Sequence, residues 1–481
     1  MSDSDQSKVR RIFPDMAVYK SARRSKQFAA LSLPSYLRDW IVMRFADASG
    51  QVDMDEVHGY VRQTIPRRED WEALKSRMVN LGEAVRFLAK VQAEIDIKSG
   101  EGLFSLPDFG FPRRRYEAII ASSLVREKRE DLLRSAGESW GSVELEWRVE
   151  RLGSGSEEGH IIMTDFRPFR PYRVETDFFQ QARIEFSLEE WIDQLLMAID
   201  YNPTGFYTPQ EKLSMLARLL PFVEKRLNLI ELAPKGTGKS YVFSQLSKYG
   251  WLVSGGSIGR PRLFYNVGSR TPGLVSRYDY VTLDEIQSIA FPNEEEVRGA
   301  LKGYMESGEY RVGDYRGVGE AGIVLLGNID VEKMDTVERL FDELPICFRE
   351  SALIDRFHGF LKGWDIPRMR ENLKAEGWGL NTEYLSEIFH SLRDDVRYRA
   401  VVDSLLQIPK GADTRDTEAV KRLCTAWLKL LFPHAITLEV VEREQFVEYC
   451  LEPAMQMRGI IRQQLHKLDA EYGEALPEIG C

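Results

Sequence analysis

The sequence predicts a multidomain α/β protein: a P-loop nucleotide-binding core of parallel sheet flanked by helices, a helical lid after it, and an N-terminal α+β domain. Three observations predict it. An octet ordered as a phosphate-cradling loop lies between a short apolar run and a helical pattern. Two further apolar runs follow it and end in polar residues. Ahead of residue 172, apolar and charged residues alternate as half-buried strands do. With 481 residues and 43% hydrophobic content, the chain can build two or three domains with cores of their own.

Residues 1–172 are read as the N-terminal domain. Residues 1–30 hold Lys8, Arg10, Arg11, Lys20, Arg23, Arg24 and Lys26 against three acids, which suits either a DNA-contacting arm or a solvated tail. Residues 33–45 and 53–62 have amphipathic helical patterns and predict a small helical head. Strand-like alternation then occupies residues 85–91, 94–97, 143–149 and 160–163, which fits a small OB-type barrel of a kind that commonly binds nucleic acid. Arg113, Arg114 and Arg115 form a basic run that either touches phosphate or simply faces solvent. Residues 153–159 read as a loop at a hairpin end, and residues 168–173 as a boundary. Connecting helices follow over 173–225. One begins at Ser187, with Glu190 completing a capping box and Leu188, Trp191, Ile192, Leu195 and Ile199 along one face.

The core is expected over 226–370. Ala233-Pro234-Lys235-Gly236-Thr237-Gly238-Lys239-Ser240 follows the run Leu229-Ile230-Glu231-Leu232 and precedes a helical pattern, as a phosphate-binding loop requires. Gly236 and Gly238 let backbone N–H groups turn toward phosphate oxygens, Lys239 reaches the terminal phosphates, and Ser240 offers its hydroxyl to magnesium. A second apolar run, residues 278–283, delivers Asp284 for the metal and Glu285 to polarise the attacking water. ATP and Mg2+ are the cofactors implied. A third run, residues 322–326, ends at Asn328.

Asn328 resembles the sensor-1 residue of AAA+ ATPases, and the segment around Arg356 resembles the one carrying an arginine finger in helicase-type members, with Arg349 and Arg339 as substitutes. Arg415 begins what looks like a sensor-2 helix, touching phosphates from the lid; residues 371–481 are read as that helical lid followed by a C-terminal helical extension. Leu423, Trp427, Leu428 and Leu431 supply that region's buried face.

The stretch 227–365 resembles the Lon-related AAA+ family of bacteriophage-exclusion (BREX) systems. The residues that carry the resemblance are 231–240, Ser254-Gly255-Gly256, Leu263-Phe264-Tyr265-Asn266, Tyr304-Met305-Glu306-Ser307-Gly308 and Gly363-Trp364-Asp365-Ile366-Pro367. That family is similar in its core to the minichromosome-maintenance helicases. The resemblance implies an ATP-hydrolysing hexameric or heptameric ring, single or stacked in pairs, that encircles double-stranded DNA and works with other defence components. It also implies a pore hairpin over 309–319, whose Arg311 and Arg316, with Lys302, face DNA phosphates without reading sequence. Longer members carry a Lon-like protease domain. Because the sequence stops at Cys481 soon after the lid, a short form without proteolytic activity is expected.

Composition narrows the alternatives. Net charge is 65 minus 75, or −10, which argues against coating nucleic acid with the whole surface and leaves local basic patches as the means of contact. The four cysteines, Cys347, Cys424, Cys450 and Cys481, are scattered, so neither a zinc site nor a disulfide framework is expected. No apolar run reaches membrane-spanning length and the N-terminus lacks a secretory pattern, so a cytoplasmic protein without membrane partners is expected. Two competing functions remain: a protein unfoldase gripping polypeptide through Tyr310 or Tyr315, and a nucleotide-gated scaffold.

Overall fold

A computed structural model describes residues 3–22, 28, 33–47, 50–133, 139–151, 157–268, 271–330 and 339–481. The chain falls into two compact units, Arg44–Arg173 and a second that joins Met1–Met43 to Val174–Cys481.

The chain opens with the helix Asp3–Ile12 and strand β1 (Ala17–Lys20), both in the larger unit. Lys20 is buried, its ammonium donating to Asp39 Oδ2 at 2.5 Å, to Thr382 Oγ1 at 2.9 Å and to the Ala198 carbonyl at 3.1 Å. A buried charge requires such a shell. Arg38, on the helix Ser35–Phe45, forks onto Asp200 at 2.6 and 2.8 Å, and Tyr241 donates to the same carboxylate. The division therefore departs from the expected 1–172 domain, because this network gathers residues before Met43 into the larger unit. The two helices expected as one head fall on both sides of that division. The second, Met54–Thr64, starts at an Asp53 cap that accepts from the Asp55 and Glu56 N–H groups. Arg23, Arg24 and Lys26 lie outside the described residues.

The smaller unit is a closed barrel of β2 (Val85–Ile95), β3 (Gly102–Ser105), β4 (Ala118–Ile120), β5 (Ser139–Arg151) and β6 (Glu157–Pro168), paired in the order β2-β3-β4-β6-β5 and back to β2. All pairs are antiparallel except β4 with β6. The run 85–91 and the start of 94–97, through Ile95, form one strand, whose alternation sends Val85, Phe87, Ala89 and Val91 inward to meet Phe104, Val143, Leu145, Met163 and Phe166. Closure removes the sheet edges. Arg115 Nη2 donates to Asp96 Oδ1 at 2.6 Å, while Arg113 and Arg114 are exposed. Hydrogen bonds from Tyr116 and Ser99 hold the Asp96 carboxyl down at about 2. Residues 153–156 of the expected loop lie outside the described residues, and 157–159 belong to β6.

The core of the larger unit is a parallel sheet of β7 (Leu229–Ala233), β8 (Gly250–Ser254), β11 (Tyr280–Asp284), β14 (Gly322–Asn328) and β15 (Gly359–Lys362), in the order β15-β7-β14-β11-β8. A short pair, β9 (Tyr265–Asn266) with β10 (Thr271–Pro272), and the hairpin β12 (Glu309–Val312) with β13 (Tyr315–Val318), lie outside it. Every residue of β7 and β11 is buried, as strands covered on both faces must be. The Ser187 capping box forms as the sequence predicts. The region expected to be all helical contains β16 (Gly377–Leu380), which pairs antiparallel with β1. Beyond it runs the helix Thr414–Leu431, with Leu423, Trp427, Leu428 and Leu431 buried. No helix of the described residues is long and apolar enough to cross a membrane.

Candidate nucleotide site

The loop after β7 has the backbone that its glycines permit. Gly236 has φ +85° and Gly238 φ +77°, a region open to glycine and costly for other residues. At Gly238 the requirement is also steric, because a Cβ would stand 2.1 Å from the Tyr201 hydroxyl oxygen. Lys239 opens the helix Lys239–Gln245, and its ammonium donates to Asn328 Oδ1 at 3.0 Å. Burial lowers the Lys239 pKa, and the nearby Glu231 and Asp284 carboxylates oppose that shift.

The sheet order brings the other residues alongside. β14 lies between β7 and β11, so Asn328 and Asp284 end neighbouring strands at the edge where the loop begins. Ser240 Oγ donates to Asp284 Oδ2 at 2.5 Å. Glu285 turns at φ +50°, a conformation that costs a non-glycine residue energy and clusters at functional sites. Its N–H is bonded to Asp284 Oδ1 at 2.9 Å and its side chain is exposed. Lys239, Ser240, Asp284, Glu285 and Asn328 thus converge. A hydroxyl beside a carboxylate is an oxygen donor set suited to magnesium, and a cation bonded to the Asn328 amide and, at 3.5 Å, to the Ala233 carbonyl suits phosphate.

Arg356 and Arg415 lie elsewhere. β15 runs parallel to β7, so the segment before Gly359 stands at the start of the strands, opposite the loop; Asn228 Nδ2 donates to the Arg356 carbonyl there at 3.2 Å. Arg356 is ion-paired to Glu306 and also donates to the Ala352 carbonyl. Arg415 donates to Asp355 Oδ2 at 2.9 Å and approaches Glu306 at 3.6 Å. The expectation that Arg415 touches phosphates from a lid is therefore corrected for the chain's own loop, because ion pairs hold it at the opposite end of the sheet. Asp355 is shared with buried Arg458 at 2.6 Å, which fixes the cluster. Arg349 donates to the Leu344 and Asp342 carbonyls at 2.6 and 2.7 Å, and Arg339 is exposed.

On the hairpin, Arg311 and Arg316 are register partners and both exposed. Lys302 does not join them, because it is paired to Glu350 at 2.8 Å. Tyr310 is buried with its hydroxyl 2.6 Å from Ser276 Oγ, and Tyr315 stacks on Tyr265 with ring centroids 3.7 Å apart.

A family model described as "Lon-like protease BrxL-like, ATPase domain" matches residues 161–478, and a second, "BREX system Lon protease-like protein BrxL N-terminal", matches residues 11–147. The chain belongs to the BrxL family. It is 29% identical over 444 residues to the "Lon-like protease BrxL" of Escherichia coli O9:H4 (strain HS), and 29% identical over 444 residues to the protein of that name from Bacillus cereus (strain H3081.97). These alignments cover 91% of this chain but only 61% and 63% of those relatives. The BrxL ATPase match spans every loop and strand residue of the site just described.

Sequence reasoning missed several residues around this BrxL site. Arg218, fully buried, pairs with Glu231 at 2.5 Å and donates to the Thr237 carbonyl at 2.7 Å. Gln287 donates to the Asn328 carbonyl at 2.9 Å and so ties the end of β14 to the turn after β11. Tyr201 packs over Gly238, and Met369 N–H donates to the Gly236 carbonyl at 2.8 Å. A charged Glu231 inside an apolar strand was the one legible signal, since such a charge demands a partner.

Proposed function

We propose that this chain is the ATP-hydrolysing part of a BREX defence ring that engages double-stranded DNA largely without sequence preference. The observation that carries the reading is the convergence of Lys239, Ser240, Asp284, Glu285 and Asn328 at one edge of a parallel sheet. Lys239 and the loop N–H groups bind the triphosphate, Ser240 and Asp284 hold magnesium, Glu285 orients water, and Asn328 positions the lysine. Magnesium when bound neutralises charge on the phosphates. Arg356, and with it Arg415, serves the nucleotide of a neighbouring copy, which requires assembly of identical chains.

The DNA part rests on the hairpin. Like charges directly opposite in a two-stranded ladder repel, and Arg311 and Arg316 occupy such a position with no carboxylate bound to either among the described residues. A phosphate backbone supplies the missing counter-charge. The five-stranded barrel, read as OB-like, offers a second nucleic-acid surface. The unfoldase alternative is weakened because Tyr310 and Tyr315 pack against their own subunit. The decisive experiment measures phosphate release from ATP with and without duplex DNA. Hydrolysis stimulated by DNA supports the reading, and absence of hydrolysis in both conditions overturns it.

A further inference from the structure

We infer that Arg218 is a positioning residue that presets the phosphate loop from outside, before nucleotide arrives; this rests on residues 233–240 being a phosphate loop. The guanidinium is fully buried and makes two kinds of contact at once. Its Nε and Nη2 meet Glu231 at 3.0 and 2.5 Å, and its Nη1 donates to the Thr237 carbonyl at 2.7 Å. Nη2 also lies 3.3 Å from Thr237 Oγ1.

Peptide geometry turns that contact into a function. In a trans peptide the carbonyl and the following N–H point in opposite directions. Holding the Thr237 carbonyl toward Arg218 therefore aims the Gly238 N–H away from it. One unit earlier, Met369 N–H holds the Gly236 carbonyl at 2.8 Å and aims the Thr237 N–H in the same manner. Neither the Thr237 nor the Gly238 N–H has an acceptor among the described residues. Two successive donors are thus kept free for an anion by contacts made on the other side of the loop. A glycine-rich loop has many other backbone states to lose on binding, so fixing it beforehand lowers the cost of binding nucleotide.

An ion pair that only stabilised the core would change melting and leave nucleotide affinity alone. Lysine at 218 keeps the charge opposite Glu231 but lacks the planar fork needed to reach the Thr237 carbonyl as well. For the full chain, Arg218→Lys is expected to raise the ATP KM and the dissociation constants of both ATP and ADP about tenfold, with kcat within about twofold. The same affinity loss is expected from Arg218→Met/Glu231→Met, which leaves no lone buried charge and carries the test if the lysine variant does not fold. Unchanged nucleotide affinity in a folded variant overturns the inference, as does a fall in kcat at constant KM. Wild type and Lys239→Ala run alongside separate the two failures. If wild type binds no ATP, the phosphate-loop reading falls and this inference with it. If wild type binds, Lys239→Ala does not, and the Arg218 variants bind as wild type, only the inference falls.

Discussion

At the scale of single residues, the site depends on which groups are already paired and which are left open. Asp284 is engaged by Ser240 and by the Glu285 N–H, whereas the Glu285 side chain has no bonded partner among the described residues. That suits a group whose work is on water rather than on structure. Glu285→Gln is expected to keep ATP bound while phosphate release falls by roughly 10²–10³, the usual cost of removing a preorganised polar group from a transition state; nucleotide retention and phosphate release measured on one sample check both halves. Normal turnover would remove Glu285 from the mechanism. On the hairpin, the exposed pair Arg311 and Arg316 has a cross-strand repulsion that a phosphate would relieve. Arg311→Ala/Arg316→Ala is expected to weaken duplex binding for all sequences alike and to make its salt dependence shallower, because fewer counterions are released. Binding isotherms at several salt concentrations decide it, and an unchanged slope would take the hairpin out of the interface.

At the scale of elements, the helix Lys239–Gln245 is tied to chain far from it in sequence. Tyr241, next after Ser240, donates to Asp200, which also receives Arg38 from the helix Ser35–Phe45 and Lys20 from β1 at 3.1 Å. Burial alone would raise the Asp200 pKa, but Arg38 and Lys20 hold it well below the ordinary carboxylate value. A depressed pKa contributes stability that is present above the unfolded value and lost as pH falls through the folded one. Asp200→Asn is therefore expected to cost about 3–5 kcal/mol near neutral pH, the usual cost of stripping one partner from a buried pair. The gap from wild type should close as pH falls below about 4, where the wild-type carboxyl begins to lose its own advantage. Melting midpoints across that range test it, and a pH-independent gap would refute it. This network also shows what the sequence could and could not disclose. The strands β7, β11 and β14 were legible because buried parallel strands read as continuous apolar runs, and the Ser187 capping box because capping is local. β3, β4 and β16 are three or four residues long, too short for alternation to register. The partnership of Lys20, Arg38 and Asp200 crosses some 160 to 180 residues, and the pairing of Arg415 with Asp355 crosses 60; no local pattern encodes such contacts.

At the scale of the whole molecule, the strand direction separates the two halves of the proposed site. The loop, Asp284 and Asn328 stand where the parallel strands end, while Arg356 and Arg415 stand where β15 begins, so on the proposed reading the arginines would serve the nucleotide of another copy. In the proposed ring of identical copies, each interface would join the loop edge of one to the arginine edge of the next. In the single chain, Glu306 occupies both arginines, and a neighbour's triphosphate would compete with it for them. That arrangement makes a complementation test sharp. Lys239→Ala chains keep Arg356 but bind no nucleotide, and Arg356→Ala chains keep the loop but offer no arginine. Each alone is expected to be nearly inactive. Mixed in equal amounts, about a quarter of interfaces pair an intact loop with an intact arginine, so about a quarter of wild-type phosphate release should return. A mixture no more active than its components would mean that Arg356 does not act across the interface, and the ion pair with Glu306 would then be its whole role.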